Sequence, residues 1–181
     1  MEIINKPLEG LYVIKPSIFE DNRGYFFESF NQQKFEKLIP GKWNFGQDNE
    51  SKSQKNVLRG LHFQNPPYEQ AKLVRVIKGS VLDVAVDIRK NSKTFGQYYS
   101  IVLSEKNKLQ FFITPGFAHG FLTLENDSVF SYKCSNFYNK ESEGGLIWND
   151  PTVNINWNID TPLLSDKDLV LPILKNFKSE F

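Results

Sequence analysis

From residue 43 to residue 134 the chain is one short β-patterned segment after another, each bounded by a turn signal, and this leaves few folds open. The run from Trp43 to Ser51 leads through a polar turn into Val57-Leu58-Arg59-Gly60-Leu61-His62-Phe63-Gln64. A Pro66-Pro67 loop separates that strand from residues 71–77, which turn at Lys78-Gly79-Ser80 into residues 81–88; spacing and composition predict a hairpin. Its second strand places Leu82, Val84, Val86 and Ile88 on one face and Asp83, Ala85 and Asp87 on the other. Residues 98–103 and 109–114 read as further strands, and Pro115-Gly116 turns into residues 117–124. The tip Glu125-Asn126-Asp127-Ser128 then closes a second expected hairpin onto residues 129–134. Many short antiparallel strands at regular spacing predict an all-β sandwich, jelly roll or barrel. With no repeat, low-complexity tract or linker, and 181 residues to build one sizeable core, residues 1–181 read as a single domain.

The N-terminal part is less regular. Residues 10–16 are extended, and Asp21-Asn22-Arg23-Gly24 carries turn chemistry. Beyond it Tyr25, Phe27 and Ser29 alternate with Phe26, Glu28 and Phe30, so both faces of a strand over residues 25–30 are largely aromatic. Both faces should be covered, and near a terminus the cover expected is another subunit. One helix follows: Asn31 is the N-cap, Phe35, Leu38 and Ile39 fall at helical spacing, and Pro40-Gly41 ends it.

Charge and cysteine usage narrow the partners. A formal net charge of +1 carries no signature of nucleic acid or acidic membrane, and favours a small-molecule or protein partner. Cys134 is the only cysteine, which excludes an internal disulfide and a cysteine-rich zinc site, fits a reducing compartment, and reads as a small buried hydrophobe. No apolar run has the length of a signal peptide or a bilayer span, so the expected location is the cytoplasm.

The strand at residues 57–64 sets a permanent cation and a titratable imidazole among apolar residues. Arg is costly to bury without an anionic partner, and His is the side chain suited to proton transfer near neutrality. Together they read either as an anion clamp beside an acid/base, or as a surface arginine and a satisfied core histidine. Strict alternation would put Arg59 with Leu61 and Phe63 on one face and His62 with Leu58 and Gln64 on the other. A bulge at Gly60 would let both side chains enter one cavity. The other chemistry-bearing positions are equally two-sided. His119 reads as a core histidine donating to a backbone carbonyl or as a functional group, Tyr132 as a core tyrosine, and Lys72 as a solvated strand end. In Ser165-Asp166-Lys167-Asp168 the acid reads as part of a capping box.

Taken together, seven ordered stretches resemble the dTDP-4-dehydrorhamnose 3,5-epimerases, cupin-type jelly rolls acting on nucleotide-linked 4-keto sugars, over nearly the whole chain. They are Asp21-Asn22-Arg23-Gly24-Tyr25-Phe26-Phe27-Glu28, Gln47-Asp48-Asn49, residues 59–64, Gln70-Ala71-Lys72-Leu73-Val74, Pro115-Gly116-Phe117-Ala118-His119-Gly120-Phe121, Tyr132-Lys133 and residues 165–168. The resemblance implies a cupin-like jelly-roll barrel of antiparallel strands with short peripheral helices. It further implies His62 as general base, Asp168 as its orienting partner, Tyr132 as general acid and Lys72 as stabiliser of an enolate. Arg23, Glu28, Gln47, Asn49, Arg59, His119, Glu143 and Lys167 match the family's substrate-contacting positions. Thr114 departs from a place where the family often has proline, and Asn44-Phe45-Gly46 before Gln47 is atypical.

The implied reaction converts dTDP-4-dehydro-6-deoxy-D-glucose to dTDP-4-dehydro-L-rhamnose, in dTDP-L-rhamnose biosynthesis. A 4-ketone acidifies the neighbouring C–H bonds, so a base on one face and an acid on the other can invert C3 and C5 with no cofactor. Three rivals are a one-carbon epimerase, a non-catalytic sugar-binding jelly roll, and a metal-dependent cupin. The last lacks the His-x-His pair such cupins use, and no metal is expected. A homodimer is expected, with Arg23 and Glu28 of one chain beside Arg59 of the other.

Overall fold

A computed structural model describes residues 1–181. In chain order its elements are β1 (Glu2–Asn5), β2 (Leu11–Lys15), β3 (Ile18–Asp21), β4 (Gly24–Phe27), helix α1 (Gln32–Leu38), β5 (Gln47–Ser53) and β6 (Leu58–Gln64). There follow β7 (Lys72–Lys78), β8 (Ser80–Asp87), β9 (Tyr98–Ser104), β10 (Gln110–Ile113), β11 (Phe117–Thr123), β12 (Ser128–Cys134) and β13 (Glu143–Gly145). The rest of the chain is irregular but for single 3-10 turns at Lys140–Ser142, Asp168–Val170 and Leu174–Asn176. No helix is long and apolar enough to cross a membrane.

Two antiparallel sheets face each other. One has the order β1-β2-β10-β7-β12-β5, the other β13-β6-β11-β8-β9, and β3 with β4 makes a separate hairpin. Between β5 and β12 the chain repeatedly changes sheet, as a jelly roll requires. Both expected hairpins are therefore corners. β7 and β8 lie in different sheets, as do β11 and β12. A tight turn between two apolar strands has the same local sequence whether the strands pair or part. What decides is the long-range partners: β8 pairs with β9 and β11, and β12 with β5 and β7.

Apolar side chains fill three layers. Val74, Val76, Phe111 and Phe130 of the first sheet meet Val81, Ala85, Leu103 and Phe121 of the second between the sheets. Outside the second sheet, Leu61, Phe63, Val84 and Val86 pack under Leu146, Val153, Ile155, Trp157 and Leu174 of the C-terminal segment. Outside the first, Ile14, Leu73 and Phe112 receive Phe35 and Ile39, which anchor α1. Asn31 caps that helix as expected, its side chain accepting from the Lys34 N–H at 3.1 Å. Full burial of Phe35 and Ile39 contributes about 1.5–3 kcal/mol each, more than the intrinsic preference of a seven-residue helix.

The aromatic strand is shorter than expected. It ends at Phe27, because Phe30 turns away to pack on Phe35 and Phe45. Phe19 (66%) and Phe26 (71%) are exposed on the β3–β4 hairpin, so in the single chain these faces have no cover.

Candidate active site

The space between the sheets is filled by apolar side chains over part of its length and open over the rest. That opening is a cavity of about 440 Å³. β6 and β11 of one sheet supply Arg59, His62 and His119; β5, β7 and β12 of the other supply Ser51, Lys72, Phe130 and Tyr132; the C-terminal segment adds Leu163, Leu164, Ser165 and Asp168.

The bulge expected at Gly60 is what brings Arg59 and His62 together. His62 pairs with His119, but Arg59 pairs with Phe121, so three steps along β6 match two along β11. Leu58, Leu61 and Phe63 consequently all face the outer core, while Arg59 and His62 both line the cavity. Gly60 has φ +119, and an added Cβ would stand 2.6 Å from Gly120 Cα and 2.8 Å from the His119 carbonyl oxygen. Only glycine fits so close a crossing. The Arg59 Nε–H donates to Ser53 Oγ at 3.1 Å.

His62 and Asp168 form a dyad. His62 Nε2 stands 2.6 Å from Asp168 Oδ1; the imidazole is 30% exposed and the carboxylate only 4%. Burial by itself would raise the Asp168 carboxyl. The bond to His62, the His62 charge, the Ser165 hydroxyl and the Gly60 N–H outweigh it, leaving the group below the ordinary carboxylate range. The capping box expected at residues 165–168 is only half made: the Asp168 N–H donates to Ser165 Oγ at 3.3 Å, but the 3-10 turn starts at Asp168 with Lys167 before it and no side-chain cap. The side chain is thereby free to serve His62.

Tyr132 faces this dyad from the opposite sheet. Burial, with Cys134 beside it, pushes its phenol up against the pull of Arg59 and Asn49, so it keeps its proton. Lys72 opens β7 as expected but is no solvated strand end: it lines the cavity and makes no hydrogen bond or ion pair. Burial pushes its ammonium below the usual lysine range, while Cys134, Asp83 and Glu143 pull the other way. His119 Nε2 lies 3.0 and 3.1 Å from the two carboxylate oxygens of Asp83, so its partner is an acid and not a backbone carbonyl.

The remaining expected residues lie outside the cavity lining. Gln47 and Asn49 extend the inward row of β5 that continues in Ser51; Gln47 donates to Asn49 at 3.0 Å, and Asn49 meets Cys134 Sγ at 3.6 Å. Glu143 of β13 is ion-paired with Lys167 and accepts from the Tyr138 hydroxyl. Arg23 and Glu28 are not in the lining and have partners of their own, the first Asp21 at 2.6 Å and the second Lys34 at 2.6 Å. Sequence reasoning missed the stacked rings of Phe121 and Phe130, 4.2 Å apart, and the acid behind His119. Asp83 had a usable signal, since a carboxylate mid-strand among apolar neighbours is costly unless paired. No group of three or more His, Cys, Asp or Glu is placed to hold a metal ion.

Fold and cavity together define a cupin-like jelly roll with ionisable groups on both walls of its interior. A family model described as dTDP-4-dehydrorhamnose 3,5-epimerase matches residues 5–176. The dTDP-4-dehydrorhamnose 3,5-epimerase of Shigella flexneri is 51% identical over 169 residues, 93% of either chain. The crystal structure of the enzyme of that name from Elizabethkingia anophelis superposes with a TM-score of 0.93 at 52% identity, covering 97% of both chains. The dTDP-6-deoxy-D-glucose-3,5-epimerase of Legionella pneumophila, solved in complex with dTDP-4-keto-L-rhamnose, gives 0.94 at 46% identity over 98% of this chain and 94% of its own. The chain belongs to the dTDP-4-dehydrorhamnose 3,5-epimerase family.

Proposed function

We propose that the protein is an isomerase that converts dTDP-4-dehydro-6-deoxy-D-glucose to dTDP-4-dehydro-L-rhamnose, and that the cavity between its sheets is where protons leave and return. The observation that carries the reading is the His62–Asp168 dyad at 2.6 Å on one wall, with Tyr132 on the other. His62 takes a proton from the carbon beside the ketone and becomes imidazolium, which the Asp168 carboxylate stabilises. The electron pair moves onto the ketone oxygen as an enolate. Lys72 supplies positive charge there, and its burial makes that charge effective. Tyr132 gives its hydroxyl proton to the opposite face of the same carbon, and solvent later restores the phenol and clears the imidazolium. A second passage at the other α-carbon completes the reaction. Arg59, Arg23 and Lys167 are assigned to the diphosphate, with Gln47, Asn49, His119 and Glu143 as further substrate contacts.

We further infer a homodimer. Phe19 and Phe26 present an uncovered aromatic face, and Arg23 and Glu28 flank it, so pairing through this hairpin would bury that face and carry both residues toward the partner's cavity. One domain spans residues 1–181 in this reading, and the cytoplasm, where the single thiol Cys134 stays reduced, is its setting.

The test is an NMR time course with dTDP-4-keto-6-deoxyglucose in heavy water. Deuterium is expected at both C3 and C5, none with His62→Asn, and exchange without inversion with Tyr132→Phe. Label at one carbon makes the protein a mono-epimerase; no label in the wild type removes the catalytic reading.

A further inference from the structure

A carboxylate with no solvent access stands behind the cavity wall. Asp83 is fully buried on β8, and none of the proton-transfer steps above uses it. Burying a carboxylate costs several kcal/mol unless partners offset it, roughly by Born-type desolvation after relaxation. Its hydrogen-bond partner is His119 Nε2, which both oxygens approach almost equally, at 3.0 and 3.1 Å. Burial raises the Asp83 carboxyl, and the charges of His119 and Lys72 with the His119 hydrogen bond pull it back; two oxygens sharing one N–H fits a carboxylate that accepts, whereas a protonated carboxyl would aim its own O–H at a ring nitrogen.

That geometry commits the imidazole. An ionised carboxylate has no proton to give, so Nε2 carries the hydrogen and Nδ1 has no partner in the protein. The Phe130 ring holds the imidazole plane from the side, with centroids 6.2 Å apart and an interplanar angle of 23°. His119 lines the cavity, so Nδ1 is the nitrogen left for a ligand.

Asp83 acts on a cation as well, Lys72, which has no direct partner. The other charged or titratable groups around this end of the cavity are Arg59 and His62 from β6, Tyr132 and Cys134 from β12, Glu143 from β13 and Asp168 from the C-terminal segment. Of their carboxylates, Asp168 is committed to His62 and Glu143 to Lys167. Asp83 alone remains for His119 and Lys72.

We propose that Asp83 is a positioning residue of the isomerisation, fixing His119 with its Nδ1 lone pair presented as an acceptor to a hydroxyl of the substrate and providing a buried counter-charge for Lys72. The two Asp–His pairs then divide the work. Asp168 supports the histidine that moves a proton, and Asp83 supports one that holds still. The proposal rests on the cavity being the site of proton transfer.

Asp83→Asn keeps the shape and removes the charge. An amide can turn either its oxygen or its NH₂ toward Nε2, so the tautomer is no longer fixed. The chain has two histidines, so long-range 1H–15N spectra contain two imidazoles, and His62→Asn assigns them. Neutral His119 is expected as the Nε2–H tautomer in the wild type, with the Nδ1–H form appearing in Asp83→Asn and the His62 signals unmoved. In kinetics, the alkaline limb of kcat should move to lower pH, because Lys72 loses an anionic neighbour. A folded Asp83→Asn protein with the His119 tautomer and the alkaline limb both unchanged overturns the proposal. Should that variant fail to fold, an Nδ1–H tautomer of His119 in the wild type overturns it equally. The spectra need no substrate, so loss of the enzymatic reading, seen as no exchange by the wild type in heavy water, is a separate outcome.

Discussion

Replacing Asp168 with asparagine separates chemistry from structure, because the residue's two jobs use different atoms. Its backbone N–H, which caps on Ser165, is untouched by the change, and the amide oxygen of asparagine can still accept from His62 Nε2. What disappears is the negative charge facing the imidazolium that proton abstraction creates. A hydrogen bond to a charged group is worth about 1.5–3 kcal/mol, against about 1 for a neutral pair. If the charged bond is realised in the transition state, exchanging it for a neutral one removes about 0.5–2 kcal/mol and lowers kcat by about 2- to 30-fold. The stability cost should stay near 1 kcal/mol, a fall in Tm of about 2–4 °C for a domain of this length. Steady-state turnover and thermal unfolding are measured on the same preparation. A loss of stability large enough to account for the lost turnover, or turnover within twofold of wild type, would refute the argument and return Asp168 to a capping role.

Three further outcomes follow from the geometry. Burial lowers the Lys72 ammonium while Tyr132 is raised, so as pH increases lysine loses its proton first and kcat should fall below the ordinary lysine pKa of about 10.4; a Lys72→Gln variant that keeps the same limb contradicts this. Gly60→Ala forces a Cβ to 2.6 Å from Gly120 Cα at φ +119 and should cost about 2–4 kcal/mol together with most activity; a variant melting with the wild type refutes the bulge as the device that presents Arg59 and His62. Sedimentation of the wild type should give two chains, and Phe19→Asp with Phe26→Asp should give an inactive monomer; a fully active wild-type monomer removes the dimer.

Much of the site was legible as residue types before it was legible as a place. An arginine and a histidine on either side of a glycine predicted the bulge, because two-residue periodicity and the burial of charge conflict unless the strand slips by one. Turn chemistry and the Asn31 cap were equally local, and both hold in the structure. The two supposed hairpins failed for the converse reason. Whether a strand pairs with its sequence neighbour or leaves for the facing sheet depends on which distant strand fills its edge, and no residue in the turn carries that information.

The sequence by itself therefore determined an all-β chain, the kinds of side chain available for acid/base work, and the family whose ordered motifs it shares. Tertiary structure alone decided that Lys72 and Tyr132 face His62 from the opposite sheet, that Asp168 reaches across 106 residues to the imidazole, and that Asp83 lies behind His119. The physical reason is one of range. Strand period, turn geometry and capping act over a few residues and can be read along the chain, whereas the pairing of buried charges is settled only when two sheets close and each must find its partner out of water.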